Sequence, residues 1–273
     1  MSNTVERTDI GEGLRRWRAV RRVSQLELAT LAGTTQRHLS FVESGRSQPG
    51  RALVIRLAES LGLSLRQRND LLALAGYAPV FTESSLDEQA LAPVRTAIEQ
   101  ILRGHQPYPA LVVGPYGRVV AANDAVEVFT EGAAPELLRP PVNMLRLMLH
   151  PDGMARRIRN LGEWGRHVID ALRASARRSP DPRMDDFVDE LAAYVPEAPV
   201  GPDHLGFAVP MRLASADGEL RLITTLTSFA TATDVTVAEL QLEAFLPADQ
   251  PTADLLRTRA ERRRTTAGRP RSE

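Results

Sequence analysis

At 273 residues, 43% hydrophobic and 25% charged, the chain has room for two domains and the makeup of a soluble globular protein. Its formal net charge of zero hides a segregation: residues 1–80 carry 12 Arg against 7 acids, residues 81–250 carry 15 against 24, residues 251–273 carry 7 against 3, and no lysine occurs anywhere. The absence of cysteine excludes disulfides, thiolate metal sites and iron–sulfur clusters, and no apolar run approaches the ~20 residues of a membrane span, so a cytoplasmic protein with no membrane partner is expected.

Residues 1–10 are polar and read as a disordered start. Residues 11–77 read as an all-α domain of five short helices. The first runs over Gly13–Arg22, with Leu14 and Trp17 turned inward. Ser24 opens the second through the S-x-x-E pattern Ser24–Glu27, in which a hydroxyl and a carboxylate each take a free backbone N–H at a helix start. Ala32-Gly33-Thr34 is a tight turn in which Gly33 supplies a positive φ. A third helix follows from near Thr35 to Ser44-Gly45, a fourth over Arg51–Leu61 and a fifth over Arg66–Ala75. Residues 78–85 combine turn and polar residues and read as a linker.

Residues 86–250 read as a second domain. A helix over Leu86–Arg103 precedes two strands, Ala110–Gly114 and Arg118–Ala122, and Asn123 is placed to cap a short helix ending at Phe129. Residues 143–195 are helical, with a break over Ser179–Pro182 and an apolar face of Leu161, Trp164, Val168 and Leu172. Strands return at Phe207–Leu213 and Leu220–Phe229 around an Asp217-Gly218 hairpin turn, then at Leu240–Leu246. A short helix and a flexible Arg-rich tail fill residues 251–273.

Gln25–Val42 has the spacing of a helix-turn-helix: Ala29 and Gly33 are small where two helices approach, and Leu28, Leu39 and Val42 are apolar where the pair packs on its domain. The stretch SQLELATLAGTTQRHLSFVESGRSQP resembles the phage-repressor, or Xre-type, helix-turn-helix family over residues 11–75. The resemblance implies a lambda-repressor-like fold and double-stranded DNA as partner. It places the first turn of the third helix in the major groove, with Thr35, Gln36 and Arg37 as leading base contacts and Ser40 and Phe41 as secondary ones. Glutamine pairs with adenine and arginine with guanine, while Phe41 either meets a thymine methyl or packs. Gln25, at a helix N-terminus, is similar to the family's phosphate-binding glutamine. Arg46 is a second phosphate candidate or a solvated loop residue. Arg18 and Glu43 are implied to pair inside the domain as a structural brace. Arg15, Arg16, Arg21 and Arg22 either attract phosphate at long range or form a solvated face. Such readers gain affinity as dimers over two half-sites, so a homodimer is expected, joined through the rest of the chain.

No reaction motif occurs in residues 86–250: there is no G-x-S-x-G elbow, phosphate loop or dinucleotide fingerprint, and the five histidines show no metal-ligand spacing. Asp185, Asp186, Asp189 and Glu190 surround Phe187, Val188 and Leu191 at helical spacing and read as the wet side of a helix. A non-enzyme without cofactor or metal is expected. The segments YPALVVGPYGRVVAAND, NMLRLMLHP, WGRHVIDALRASARRSPDPRMDDFVDEL and FATATDVTVAELQLEAFLPAD, in this order, resemble the MmyB-like ligand-binding domain that follows an Xre-type reader in bacterial regulators. That resemblance implies an α+β, PAS-like fold with an antiparallel sheet and an apolar pocket for a fatty-acid-like molecule. The chain departs from longer members in the short, Pro-rich stretch from Tyr194 to Leu205. Met144, Met148, Trp164, Phe187, Phe207 and Met211 are the pocket candidates, with ordinary core as the competing role for each. A second domain that only dimerises, or an enzyme with its own autoregulatory reader, are the alternatives.

Overall fold

The computed structural model describes residues 9–197 and 208–267. They fall into two compact units: residues 1–85 together with 230–238, and residues 86–229 together with 239–273. The expected disordered start, the flexible tail beyond residue 267 and Phe207 lie largely or wholly outside the described residues.

The first unit holds five helices, α1 (Ile10–Arg21), α2 (Gln25–Leu31), α3 (Gln36–Glu43), α4 (Arg51–Ser60) and α5 (Leu65–Leu74). The start of α1 lies three residues earlier than the apolar pattern predicts, because the Asp9 carboxylate accepts the Glu12 N–H and fixes the first turn there. Ser24, Thr35 and Ser64 cap α2, α3 and α5 in the same way. The full reciprocal capping box forms at Ser64–Gln67, while at Ser24 it is the serine oxygen that accepts from Glu27. Gly33 takes φ +63°, as the tight turn between α2 and α3 requires. The core of this unit is aliphatic, with Leu14, Leu28, Leu39, Val42, Val54, Leu57, Leu71 and Leu72 buried together.

The second unit is α+β. In chain order it contains α6 (Ala92–Gly104), β1 (Ala110–Val113), β2 (Val119–Ala122), α7 (Glu127–Thr130), α8 (Met144–Leu149), α9 (Leu161–Arg178), α10 (Pro182–Ala192), β3 (Met211–Ser215) and β4 (Gly218–Ser228). A short helix α11 (Val235–Ala238), belonging to the first unit, interrupts the sequence before β5 (Gln241–Pro247) and α12 (Gln250–Ala267). All strand pairs are antiparallel, in the order β2-β1-β5-β4-β3, giving the PAS-like sheet. Alternation sends Leu111, Val113 and Phe245 to one face, against Phe129, Met144, Trp164 and Phe187, and Ala110, Val112, Leu242 and Ala244 to the other, against Ile98 and Leu102 of α6.

Several local expectations shift. The β3–β4 turn is Ala216-Asp217 rather than Asp217-Gly218: Ser215 lies opposite Gly218, which at φ +136° opens the returning strand. Asn123 does not cap a helix. Its buried amide accepts from Ala110 N–H and donates to the Leu102 and Tyr108 carbonyls, tying the end of α6 to β1. The predicted short C-terminal helix is 18 residues long. Its Ala253, Leu256 and Ala260 are buried, and Arg259 bridges Asp217 and Glu131 at 2.5 Å each, with Arg262 on Asp217 and Arg263 on Glu127. Asp217 is held well below the usual carboxylate range, chiefly by the Arg262 hydrogen bond and by the charge of Arg259.

Glu243 departs from the apolar pattern of its face. It lies between Leu111 of β1 and Leu226 of β4, on the side that carries Phe245, and is only 8% exposed. Among the described residues nothing donates to its carboxylate, and burial pushes it up to about 7.

Candidate nucleic-acid interface and ligand cavity

In the first unit, Glu43 at the end of α3 organises the frame. The Arg18 guanidinium grips its carboxylate in two-pronged fashion, Nε to Oε1 at 2.6 Å and NH2 to Oε2 at 2.9 Å, and gives its remaining branch to the Val23 carbonyl at 3.0 Å. Arg15 donates to the Glu43 carbonyl. Glu43 is 3% exposed, so this carboxylate depends on its partners to offset lost hydration. Gly11 completes the joint: a Cβ there would sit 2.5 Å from the Glu43 carbonyl oxygen, so only glycine lets α1 come this close to α3. Arg21 is likewise used internally, donating to the Leu61 carbonyl at 2.8 Å.

Held this way, α3 presents its first turn to solvent. Thr35, Gln36 and Arg37 are exposed, with the Thr35 hydroxyl accepting the His38 N–H. Ser40 and Phe41, one turn on, are half-buried. The Phe41 ring lies beneath two cations, with Arg37 5.4 Å and Arg46 5.9 Å from its centroid. Phe41 thereby gathers two guanidinium groups beside the exposed turn, a contact that sequence spacing did not reveal. Gln25 is half-buried, and its amide donates to Glu43 Oε2 at 2.7 Å, so it is part of the brace. One amide proton of Gln25 remains for another acceptor.

In the second unit, Met144, Met148, Trp164, Phe187 and Met211 are buried together in the main core. None is among the described residues around the cavity of about 720 Å³, which is walled by Gly162, Arg166, Ile169 and Arg173 of α9 and by Ala192, Val195, Pro196 and Glu197 at the end of α10. The four α9 residues recur at helical spacing on one side, so α9 gives the cavity both an apolar residue, Ile169, and two arginines. Near the end of α10, Glu190 receives two 2.7 Å hydrogen bonds from Arg146 and one of 3.2 Å from the Tyr194 hydroxyl. The Arg146 bonds hold Glu190 below the usual carboxylate range. Asp185, Asp186 and Asp189 are exposed along α10. The described residues contain no group of acids and histidines able to hold a metal ion and no helix long and apolar enough to cross a membrane.

A braced helix-turn-helix with its third helix offered to solvent, followed in one chain by an α+β unit with a five-stranded antiparallel sheet, defines a DNA-binding transcription regulator. The helix-turn-helix family matches residues 14–67, and the MmyB-like transcription regulator ligand binding domain matches residues 94–258. The chain belongs to this MmyB-like regulator family. Among solved structures it is similar to the clp gene regulator ClgR from Corynebacterium glutamicum, at 24% identity over 39% of this chain and 99% of that one, with a TM-score of 0.23. It is also similar to an RNA-binding light-oxygen-voltage receptor, at 14% identity over 96% of this chain and 66% of that one, with a TM-score of 0.26. Both superpositions are too loose to add to the fold. The search of curated proteins gives no match.

Proposed function

We propose that the chain acts in the cytoplasm as a homodimeric repressor or activator whose sequence preference resides in Thr35, Gln36 and Arg37, with Ser40 and Phe41 beside them, and whose DNA affinity answers to a small apolar, fatty-acid-like ligand. The observation that carries the reading is the exposed first turn of α3, held on a frame braced by the Arg18–Glu43 pair. Gln36 can donate to and accept from an adenine edge, and Arg37 can donate twice to the two acceptors of a guanine edge, in the major groove. Arg46 and the spare amide proton of Gln25 supply phosphate contacts. In the second unit the cavity by α9 has the volume of a small-molecule site and offers Ile169 and Val195 as apolar lining, with Arg173, 4.0 Å from Asp189, at its edge.

Sequencing the genomic fragments retained by the purified protein yields the operator. On it, Gln36→Ala and Arg37→Ala should each cost ~1–3 kcal/mol on the cognate sequence and little on random DNA. Equal losses on both would overturn the base-reading role. Native mass spectrometry should show a dimer with bound lipid. A dimer that stays empty when offered fatty acids would reduce the second unit to an assembly module.

A further inference from the structure

The first unit is not a continuous stretch of sequence. It includes Ala230–Ala238, the connection that leaves the sheet from β4 and returns to it as β5. The connection is built in by a buried aspartate. Asp234 is 8% exposed; its Oδ1 accepts the N–H groups of Thr236 at 2.9 Å and Val237 at 3.4 Å, opening α11, while Oδ2 accepts the Ser84 N–H at 3.1 Å. Val235 N–H donates to the Thr82 carbonyl at 2.8 Å, and Val235 and Val237 are buried where α11 packs on α5. Burial alone would raise the Asp234 carboxylate, but hydrogen bonds from Ser84 and Thr82 outweigh it and hold the group below its usual range.

Residues 80–84, on the other side of Asp234, are fastened just as firmly to the reader. Asn69 of α5 accepts from the Val80 and Phe81 N–H groups at 3.0 and 3.1 Å and donates to the Phe81 carbonyl at 2.8 Å. Arg66 forks onto Glu83, and Arg68 lies over the Phe81 ring. The stretch expected to be a linker is therefore a strap. An unbroken series of bonds runs from α5 through the strap to Asp234, and from there by covalent connection into β4 and β5, which are adjacent in the sheet.

We infer that Asp234 is a coupling clasp, through which Ala230–Ala238 passes the state of the second unit's sheet to the DNA reader. The inference does not depend on which ligand the cavity accepts. A clasp of this kind makes the stability of one unit depend on that of the other.

The chain holds two tryptophans, Trp17 in the first unit and Trp164 in the second. Trp164→Phe and Trp17→Phe backgrounds of the full-length protein therefore report each unit separately in urea unfolding. Leu149→Ala, a buried site in the second unit, should lower the midpoint seen by Trp164 and carry the Trp17 midpoint down with it. Adding Asp234→Ala should abolish the Trp17 displacement while leaving that of Trp164. Asp234→Asn, which keeps the acceptor that caps α11, should restore part of it. Should Asp234→Ala not fold, Ser84→Pro removes the N–H that Oδ2 accepts, and loss of the Trp17 displacement is again expected. A Trp17 midpoint that ignores Leu149→Ala with the clasp intact, or follows it undiminished in both clasp variants, would overturn the inference.

Discussion

Replacing Glu243 by glutamine should change how the second unit's stability depends on pH. Burial on the face of β5 that carries Phe245, opposite Leu111, pushes the carboxyl up to about 7 from an ordinary 4.5. Over that interval the folded protein keeps a proton that the unfolded chain releases, so stability is full below 4.5, falls as pH rises, and levels off above about 7. At ~1.4 kcal/mol per pH unit the loss accumulates to about 3 kcal/mol by pH 8. Glutamine keeps the shape and cannot ionise. Its own buried amide has a desolvation cost that does not vary with pH, so the test is the change in the difference between the two proteins and not its sign at one pH. Urea unfolding followed by Trp164 fluorescence in the Trp17→Phe background, from pH 4.5 to 8, should show the glutamine variant gaining about 3 kcal/mol on its parent across the series. Parallel curves would mean that the carboxylate is hydrated or partnered, and would refute the reasoning.

Other expectations concern the frame. Arg18→Ala leaves Glu43 buried without its main partner and should cost the first unit ~3–5 kcal/mol in urea unfolding, whereas Arg18→Met with Glu43→Leu should recover most of that. Gly11→Ala drives a methyl into the Glu43 carbonyl and should cost ~1–3 kcal/mol, with weaker operator binding because the position of α3 is disturbed. Arg259→Ala removes the link from α12 to Glu131 and one of its two links to Asp217, and amide hydrogen exchange along Gln250–Ala267 should accelerate. In the parent protein the protection of the same amides, taken relative to their intrinsic exchange rate at each pH, should fall in acid, because the depressed Asp217 carboxylate contributes stability that is lost as pH falls through its lowered value.

The reader was legible because its determinants are local. Ser24, Gly33 and Thr35 set two helix starts and one turn within a dozen residues, and Leu28, Leu39 and Val42 state which side is buried. The sheet was legible as strands from alternation, but the hairpin slipped by one residue because Gly218 serves strand entry instead of the turn. What the sequence concealed depends on partners far along the chain. The arginines of α12 read as a flexible tail because Glu131, which fixes Arg259, lies 128 residues away, and Asp234 meets Ser84 across 150 residues. Asn123 sits at a plausible cap position, and only the folded ends of α6 and β1 show that its amide serves them instead. The cavity by α9 was missed because the sequence pattern draws attention to the apolar face of Leu161, Trp164, Val168 and Leu172, while Gly162, Arg166, Ile169 and Arg173 become a wall only when α10 folds back beside them.

The split make-up of the first unit also sets terms for anyone who treats such regulators as interchangeable parts. A cut after Ser85 would release a reader missing nine of its own residues and leave behind a second unit whose strands β4 and β5 are joined by an orphaned connection. A graft of this reader onto a foreign sensor would have to bring Ala230–Ala238 along, inserted between two strands of the new host.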